Sequence, residues 1–495
     1  MDCLVDQGQR TSGLVENMSA QLHFLVLTFP LQGHITPALR LARRLLAAAP
    51  DALVTFSTNE AAHRRMFPAK PAADAPHDVA EYEEDGDGRL EFLPFSDGTE
   101  SGYVRGSDSA AFNEYMVTLG AAGPRSVGEL LDALAARGRP VTRVVYTLLL
   151  PWAADVARER GVPSALYWIQ PAAVFAVYYH YFHGHAGAVI DHLHDPSFLV
   201  QLPGLPPQAV RDLPSFLTES ADPSDCFHGA YAAIRDLFDS LDRDAPKATV
   251  LVNTCEELEA VVLSSFGAYH MLPIGPVLPA GDEAGLFKQD DAKYMEWLDT
   301  KDANSVVYVS FGSLARMARE QLDELLQGLE ESGRPYLCIV RKDQLVEAET
   351  EPPEMDARPR NGMVVEWCDQ VRVLSHAAVG CFVTHCGWNS VLESVACGVP
   401  MVAVPQWSDQ RINSGLVESE WRVGMRAEVG SDGVLRAAEV RRCLGEVMRE
   451  RDAAGDVRSA ATEWKHAVVE ALGKGGSSDR NLMAFVEGVN GGVQL

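Results

Sequence analysis

Basic residues are scarce in this chain. Its 495 residues include 42 Lys and Arg against 69 Asp and Glu, so the formal net charge is −27 at pH 7. Nucleic acids and anionic membrane surfaces both bind through a basic footprint. We therefore expect neither as a partner, and an anionic ligand would need a local site such as a helix N-terminus or a histidine.

Long apolar runs are also missing. No stretch reaches the roughly 18 apolar residues of a membrane span, and the best candidate, VVYTLLLPWAADVA, is interrupted by Pro151. The N-terminal MDCLVDQGQRTSGLVENMSAQ has acidic residues and no basic-then-apolar order, unlike a signal peptide. Met18 could be an alternative start. We expect a cytoplasmic monomer without stable membrane insertion.

Paired cysteines and metal-ligand spacings are lacking as well. The nine cysteines, an odd number scattered from Cys3 to Cys443, fit reduced thiols. Two groups of residues are candidate metal ligands, but neither has the paired spacing or the nearby carboxylate of a metal site. They are Cys381, His385, Cys386 and Cys397, and His180, His183 and His185. We predict no metal.

Common nucleotide-binding motifs are absent. No G-x-G-x-x-G follows either candidate nucleotide strand, which disfavours a dehydrogenase. The C-terminal GKGGSS lacks the four-residue spacing of a phosphate-binding P-loop. A diphosphate would have to be held in another way.

What the chain does contain is two series of alternating strand and helix patterns. The first opens with LHFLVLTF, the turn PLQGHITP and the helical ALRLARRLLAAA, and ends with the strand ATVLVNT (248–254). The second runs from SVVYVSFGS (305–313) to MVAVP (401–405), after a Pro-, Gly- and Asp-rich linker. This alternation predicts an α/β protein with two Rossmann-like domains facing a central cleft. The acidic AEYEEDGDG (80–88) is predicted to be a solvated loop.

One run of the second series concentrates polar residues at strand ends and helix starts. It reads WCDQVRVLSHAAVGCFVTHCGWNSVLESVACGVPMVAVPQWSDQ, from Trp367 to Gln410. Asn389 and Ser390 open a predicted helix, whose backbone N–H groups can hold a diphosphate. Gly387 allows the backbone to approach closely, and the carboxylate of Glu393 can accept hydrogen bonds from ribose hydroxyls.

This run resembles the sugar-nucleotide signature of plant family 1 UDP-dependent glycosyltransferases, which act on small molecules of secondary metabolism. The resemblance covers about Leu22 to Val486. It implies a GT-B type fold, UDP-glucose as the donor substrate without a further cofactor, and a small-molecule acceptor. The implied domains are residues 20–255 for the acceptor, residues 256–475 for a linker and the UDP-sugar, and residues 476–495 crossing back to the first domain.

The resemblance also implies donor-binding roles. Trp367 would stack on uracil, His385 would donate to a phosphate, and Trp388, Asp409 and Gln410 would line the hexose. The full donor-binding set is Ser310, Gly312, Ser313, Trp367, Cys368, Gln370, His385, Gly387, Trp388, Asn389, Ser390, Glu393, Trp407, Asp409 and Gln410.

The catalytic base is expected to be His34. It follows the first strand in Pro30–Pro37, which resembles the PxxGHxxP of the family, and a His with a pKa near ~6.5 suits proton removal from an acceptor hydroxyl. Many relatives orient this His with an Asp. Here Thr147 occupies that place and could itself hydrogen-bond His34 or the acceptor. A weakened base favours an ionised carboxylate or an acidic phenol as acceptor.

Acceptor-binding residues are expected in the N-terminal half. The aromatic run YWIQPAAVFAVYYHYFHGH suits a flat apolar acceptor, although burial as a core helix is an equal alternative. A Pro-stiffened segment, Leu202 to Leu217, is expected to wall the same pocket. The predicted acceptor-binding residues are Gln32, Gly33, Trp168, Gln170, Phe175 and Tyr178.

The predicted function is an inverting, metal-independent transfer of glucose from UDP-glucose to a carboxylate or a phenolic hydroxyl. The departing UDP would be neutralised by the helix that starts at Asn389. Two alternatives stay open: a non-catalytic sugar-nucleotide-binding protein, and a nucleotide-sugar enzyme other than a glucosyltransferase.

Overall fold

The structure is a computed structural model. It describes residues 21–67, 82–83, 88–103, 110–244, 248–278, 293–341, 344, 361–449 and 456–490. Three predicted features therefore fall wholly or mostly outside the described residues: the N-terminal tail with Met18, the acidic loop 80–88, and the linker that ends near residue 291.

The strands and helices follow the two predicted series. The strands are β1 His23–Leu27, β2 Leu53–Ser57, β3 Tyr82–Glu83, β4 Leu90–Phe92, β5 Arg143–Thr147, β6 Ser164–Trp168, β7 Leu199–Val200, β8 Gln208–Ala209, β9 Thr249–Val252, β10 His270–Pro273, β11 Val306–Ser310, β12 Tyr336–Ile339, β13 Gly362–Val365, β14 Val379–Thr384, β15 Met401–Ala403 and β16 Gly424–Arg426. The helices are α1 Gln32–Ala48, α2 Glu60–Met66, α3 Ala111–Ala136, α4 Ala153–Glu159, α5 Ala172–His180, α6 Ala186–Ile190, α7 Ser215–Thr218, α8 His228–Asp242, α9 Glu256–Ser265, α10 Lys293–Asp299, α11 Arg319–Glu331, α12 Gln370–Leu374, α13 Trp388–Cys397, α14 Gln410–Gly415, α15 Ala437–Val447, α16 Val457–Leu472 and α17 Ser477–Asn490.

The N-terminal domain is built on an eight-stranded sheet. Its order is β10-β9-β6-β5-β1-β2-β4-β3, and its pairings are parallel except for β3 with β4. All five residues of β1, HFLVL, are buried, as expected for a central parallel strand covered by helices on both faces. The chain moves outward from β1 through β2 and then returns to the other side at β5. The crevice beyond the carboxyl ends of β1 and β5 is thus a topological switch point, where open α/β sheets bind ligands.

The C-terminal domain repeats this plan. Its six-stranded sheet has the order β13-β12-β11-β14-β15-β16, and all its pairings are parallel. Here the switch point lies between β11 and β14. The two crevices open on the same cleft, which confirms the predicted pair of Rossmann-like domains.

The predicted end of the first domain is wrong. The strand ATVLVNT is followed by β10, which pairs in parallel with β9, so the N-terminal sheet continues beyond residue 255 to Pro273. The helix between them, α9, joins the domains, because Leu258 packs in the C-terminal core and Val262 in the N-terminal core. The run HMLP is too short for its hydrophobic pattern to predict the strand β10 from the sequence.

The last helix, α17, packs on the N-terminal domain. Leu482, Phe485 and Val486 belong to that domain's core, and the Phe485 ring lies 6.1 Å from the ring of Phe24 in β1. The Ser478 hydroxyl donates to the Gly275 carbonyl at 2.5 Å. The C-terminal segment therefore returns to the first domain through residue 490. In the described ranges, no helix combines the length and the apolar character needed to cross a bilayer.

Candidate active site

One cleft of about 420 Å³ lies between the two switch points. Loops after β1 and β5 border it from the N-terminal domain, and loops after β11 and β14 border it from the C-terminal domain. Every predicted donor-binding residue lines this cleft. Two non-glycine residues that line the cleft have a left-handed backbone, Leu149 (φ 70°) and Ser408 (φ 58°), and so does Cys386 (φ 63°), which lies between the lining residues His385 and Gly387. Such strain persists where the surrounding structure enforces it and is common at functional sites.

The helix α13 presents its N-terminus to the cleft. It begins after Gly387 and ends at Gly398, whose left-handed φ of 73° terminates the helix. His385 lies directly before this start, and burial lowers the pKa of its imidazole to about 4. A Cβ at Gly387 would lie 2.4 Å from His385 Nε2, and one at Gly312 would lie 2.7 Å from it. The His385 ring therefore occupies space that is free only because both residues are glycines. The ring lies close to the N-terminal backbone N–H groups of α13, which are suited to a phosphate.

A hydrogen-bond network holds the proposed ribose carboxylate. Gln370 Nε2 donates to Glu393 Oε2 at 2.8 Å and to the Ser390 hydroxyl at 2.9 Å. The Tyr308 hydroxyl donates to Gln370 Oε1 at 3.2 Å. On its other oxygen, Glu393 pairs with Arg40 of α1 at 2.7 Å. Neither Tyr308 nor Arg40 is recognisable from sequence pattern, because their contacts form only when distant segments meet.

Two donor-site residues also join the domains. The indole N–H of Trp388 donates to the Asn253 carbonyl at 2.8 Å, so this side chain points to the N-terminal domain and is only 3% exposed. Asn389 Nδ2 donates to the Gly33 carbonyl at 3.0 Å. That carbonyl lacks its helical partner because the residue four positions later, Pro37, has no N–H.

The loop before α14 contributes the proposed hexose residues. Gln410 Oε1 accepts from the backbone N–H groups of Gln406 and Trp407, which leaves its amide nitrogen to reach a sugar hydroxyl. Asp409 is 8% exposed, and burial raises the pKa of its carboxyl to about 6. Asn413 Nδ2 donates to Asp409 at 2.7 Å and orients it.

His34 lies in the first turn of α1, not in a loop as the sequence indicated. Its ring lies 5.3 Å from the ring of Phe29. Burial lowers the pKa of its imidazole to about 3, so the ring is neutral at physiological pH. Its Nδ1 has no hydrogen-bond partner among the residues that the structure describes.

The described residues show no hydrogen bond between Thr147 and His34 Nδ1, which corrects the prediction that Thr147 could hydrogen-bond His34 in place of the usual Asp. It lies at the end of β5, 1% exposed, and its hydroxyl accepts from the Phe29 backbone N–H at 3.1 Å. It is not among the residues that line the cleft. Thr147 therefore joins β5 to the end of β1 and stabilises the segment from which α1 starts.

The N-terminal part of the cleft, here called the acceptor end, is largely apolar and aromatic. It includes Phe216 from the Pro-stiffened segment, whose position at the pocket wall agrees with the prediction for that segment. Trp407 reaches it from the other domain and stacks on Phe227, with ring centroids 5.1 Å apart. Its lining residues are Leu31, Tyr103, Phe112, Leu148, Leu149, Ile169, Gln170, Phe216, Phe227 and Ala230.

Three predicted acceptor-binding residues are wrong. Trp168, Phe175 and Tyr178 are fully buried, do not line the cleft, and pack on one another with ring centroids 5.1 and 6.2 Å apart. The alternative of a core helix explains them, because α5 is buried along almost its whole length. Gln32 and Gly33 do line the cleft.

Gln170 is the predicted acceptor residue that faces the acceptor end. It is 9% exposed, and its Oε1 lacks a hydrogen-bond partner within the described part of the chain. The backbone that follows Gln170 is held in place by the buried Glu259. Its two carboxylate oxygens accept from the N–H groups of Ala172 and Ala173, each at 2.9 Å. This carboxylate caps α5 immediately after Gln170.

Comparison with known proteins decides the family. The family described as UDP-glucoronosyl and UDP-glucosyl transferase matches residues 261–452. Crocetin glucosyltransferase, chloroplastic, from Gardenia jasminoides is 40% identical, and the match covers 96% of this chain and 99% of that relative. The chain belongs to the plant UDP-glycosyltransferase family.

Other similar proteins agree with this assignment. Phloretin 4'-O-glucosyltransferase from Malus domestica is 38% identical over 94% of this chain and 98% of its own length. The crystal structure of Os79 from O. sativa in complex with UDP has a TM-score of 0.75 at 31% identity, covering 94% of this chain and 100% of that one. This UDP-glycosyltransferase thus has the GT-B fold. The Gardenia relative is named chloroplastic, so a cytoplasmic location stays a prediction.

Proposed function

We propose that this UDP-glycosyltransferase transfers glucose from UDP-glucose, with inversion and without a metal, to a phenolic hydroxyl of a flat small molecule. His34 carries the proposal, because it lies where the apolar acceptor end meets the donor residues of the C-terminal domain. The similar proteins named glucosyltransferase support glucose as the sugar. Asp409 and Gln410, at the start of α14, are the groups that would bind its hydroxyls.

The reaction is a single displacement. The acceptor oxygen attacks the anomeric carbon as the bond from that carbon to the diphosphate oxygen breaks. The phenolic proton passes to the neutral imidazole of His34. UDP departs toward the N-terminus of α13, where the helix dipole and His385 stabilise its charge.

The surroundings of His34 favour an acidic hydroxyl. Burial makes its imidazole a weak base, because its Nδ1 has no carboxylate partner within the described part of the chain. A weak base cannot assist an aliphatic alcohol well, but it suits a phenol with a pKa near ~10. Gln170 Oε1, which has no hydrogen-bond partner among the residues that the structure describes, can accept a hydrogen bond from a second hydroxyl of the acceptor.

A carboxylate acceptor, which the sequence argument predicted to tolerate a weakened base best, fits the acceptor end less well than a phenol. Three arginines line the cleft: Arg40 pairs with Glu393, Arg43 lies about one turn beyond Arg40 on α1, and Arg341 follows β12. Among the described residues of the acceptor end there is no Lys or Arg. A carboxylate bound there would lose its hydration without gaining a cationic partner, and this desolvation costs binding free energy.

Matched acceptors test this choice. With UDP-glucose, we expect methyl p-coumarate, which has a free phenol and a blocked carboxyl, to yield an alkali-stable β-glucoside. We expect little turnover of p-methoxycinnamic acid, in which only the carboxyl is free. Turnover of p-methoxycinnamic acid to an alkali-labile ester, without turnover of the phenol, would contradict the proposal. An α-linked product in the NMR spectrum would contradict inversion.

A further inference from the structure

The Arg40–Glu393 ion pair connects the two domains at the donor site. Arg40 Nη1 lies 2.7 Å from Glu393 Oε1, and the two side chains are 14% and 7% exposed. Arg40 belongs to α1 of the N-terminal domain, and Glu393 belongs to α13. Together with the contact between Asn389 and Gly33, this pair joins one face of α1 to the start of α13.

We propose that Arg40 is a donor-binding residue supplied by the N-terminal domain, whose positive charge offsets Glu393 and attracts the diphosphate. This inference rests on the proposed binding of UDP-glucose by the cleft residues of the C-terminal domain. It adds to that site a residue of α1, which lies outside the signature run from Trp367 to Gln410.

The charge around the donor explains why such a cation is needed. Glu393 is a nearly buried carboxylate, and the ligand that binds beside it is a dianion. An unpaired buried carboxylate would be costly and would repel the diphosphate. The chain as a whole adds to this repulsion, because its formal net charge is −27. Arg40 provides a compensating positive charge next to the Glu393 carboxylate.

The ion pair leaves room for the ribose. Glu393 receives Arg40 on Oε1 and Gln370 on Oε2. A carboxylate has about four lone-pair positions, so ribose hydroxyls can bind while both contacts persist. Arg40 therefore need not leave Glu393 when the donor enters.

Comparing UDP with uridine tests the role of the charge, because uridine carries the same base and ribose without the diphosphate. By titration calorimetry, we expect Arg40→Gln to weaken UDP binding by about tenfold and uridine binding by less than about threefold. Arg40→Lys keeps the charge and should bind UDP within about threefold of the unmodified protein.

Arg44→Gln is the matched control. It removes the same charge from α1, but its guanidinium donates to the Ile274 carbonyl and does not line the cleft. We expect the affinity of this variant for UDP to stay within about twofold of that of the unmodified protein, because a charge outside the cleft is screened from the bound diphosphate. Melting temperatures of all variants report whether each one folds.

Several outcomes would overturn the inference. Equal weakening of UDP and uridine in Arg40→Gln would mean that Arg40 acts only on structure. Tighter binding of both would mean that Arg40 competes with ribose for Glu393, and unchanged binding would remove Arg40 from the donor site. If the unmodified protein did not bind UDP, the donor-site assignment itself would be wrong.

Discussion

At the scale of single residues, burial shifts the pKa values of two ionisable groups of the cleft in the direction that favours their neutral forms. It lowers the pKa of His34 to about 3 and raises the pKa of Asp409 to about 6. The physical cause is the same for both, since a charged form loses hydration when it is buried. Their roles are opposite, because the neutral His34 is ready to accept a proton whereas Asp409 must be ionised to act only as an acceptor.

Replacing His34 with Ala should remove catalysis and spare donor binding. We expect kcat to fall by about 10²- to 10⁴-fold, the usual contribution of a general base. The affinity for UDP should stay unchanged by calorimetry, because His34 faces the acceptor end. His192→Ala, which alters a ring stacked on Phe198 outside the cleft, is the control. An unchanged kcat in His34→Ala would exclude His34 as the base.

Asp409 should make stability depend on pH. Because its folded-state pKa is raised, the stability it contributes is present at low pH and is lost as the pH rises through about 6. Asp409→Asn removes this loss, and its amide oxygen can still accept from Asn413. We expect the variant to be more stable than the unmodified protein at pH 8 by up to about 3 kcal/mol.

Melting temperatures at pH 8 and pH 4.5 measure the effect of Asp409→Asn. The difference between variant and unmodified protein should shrink at pH 4.5, because most of the loss of stability falls between the unfolded-state pKa near ~3.9 and the folded-state pKa of about 6. The same difference at both values would show that Asp409 is not buried as described. The affinity for UDP-glucose should fall in the variant, since the carboxylate proposed to bind the sugar is gone.

At the scale of elements, the two helices that start at the cleft, α1 and α13, define the chemistry. Each follows a central strand at a switch point, so each directs its N-terminal dipole at the ligand. The sequence predicted α13 well, because Gly387 and Asn389 are a recognisable start. It placed the start of α1 too late, because Pro37 suggested a turn although the helix accommodates it.

Gly387→Ala should damage the diphosphate site through one methyl group. Its Cβ would lie 2.4 Å from His385 Nε2, so the ring must move from its place before α13. We expect UDP affinity to fall by about tenfold or more. The control is Gly445→Ala in α15, which has no atom within 4 Å of the new Cβ and should stabilise its helix by up to about 1 kcal/mol. Normal UDP binding by Gly387→Ala would show that His385 does not contact the donor.

At the scale of the whole molecule, contacts between distant segments complete both domains. The N-terminal core includes α17 from the end of the chain, and α9 packs in both cores. The cleft is also joined across its width at Trp388, Asn389 and Arg40. The N-terminal domain is therefore expected to depend for its stability on residues near the C-terminus.

Phe485→Ala should destabilise the N-terminal domain although it lies near the C-terminus. Phe485 is 1% exposed, and losing its ring should cost about 3–5 kcal/mol. Hydrogen exchange should show weaker protection of β1 and β10, with β14 little changed. Val469→Ala, at a side chain 56% exposed, should change neither. Loss of protection confined to the C-terminal sheet would contradict the packing of α17.

Local patterns and one contiguous signature were enough to predict the α/β alternation, the family and residues of the C-terminal domain that line the cleft. The order of strands beyond residue 255, the burial of Trp168, Phe175 and Tyr178, and the contact of Thr147 with Phe29 depended on tertiary structure. An aromatic side chain has the same pattern in a core helix as in a pocket wall, and only packing distinguishes them. The pairing of Arg40 with Glu393 likewise needed the fold, because it joins segments 353 positions apart.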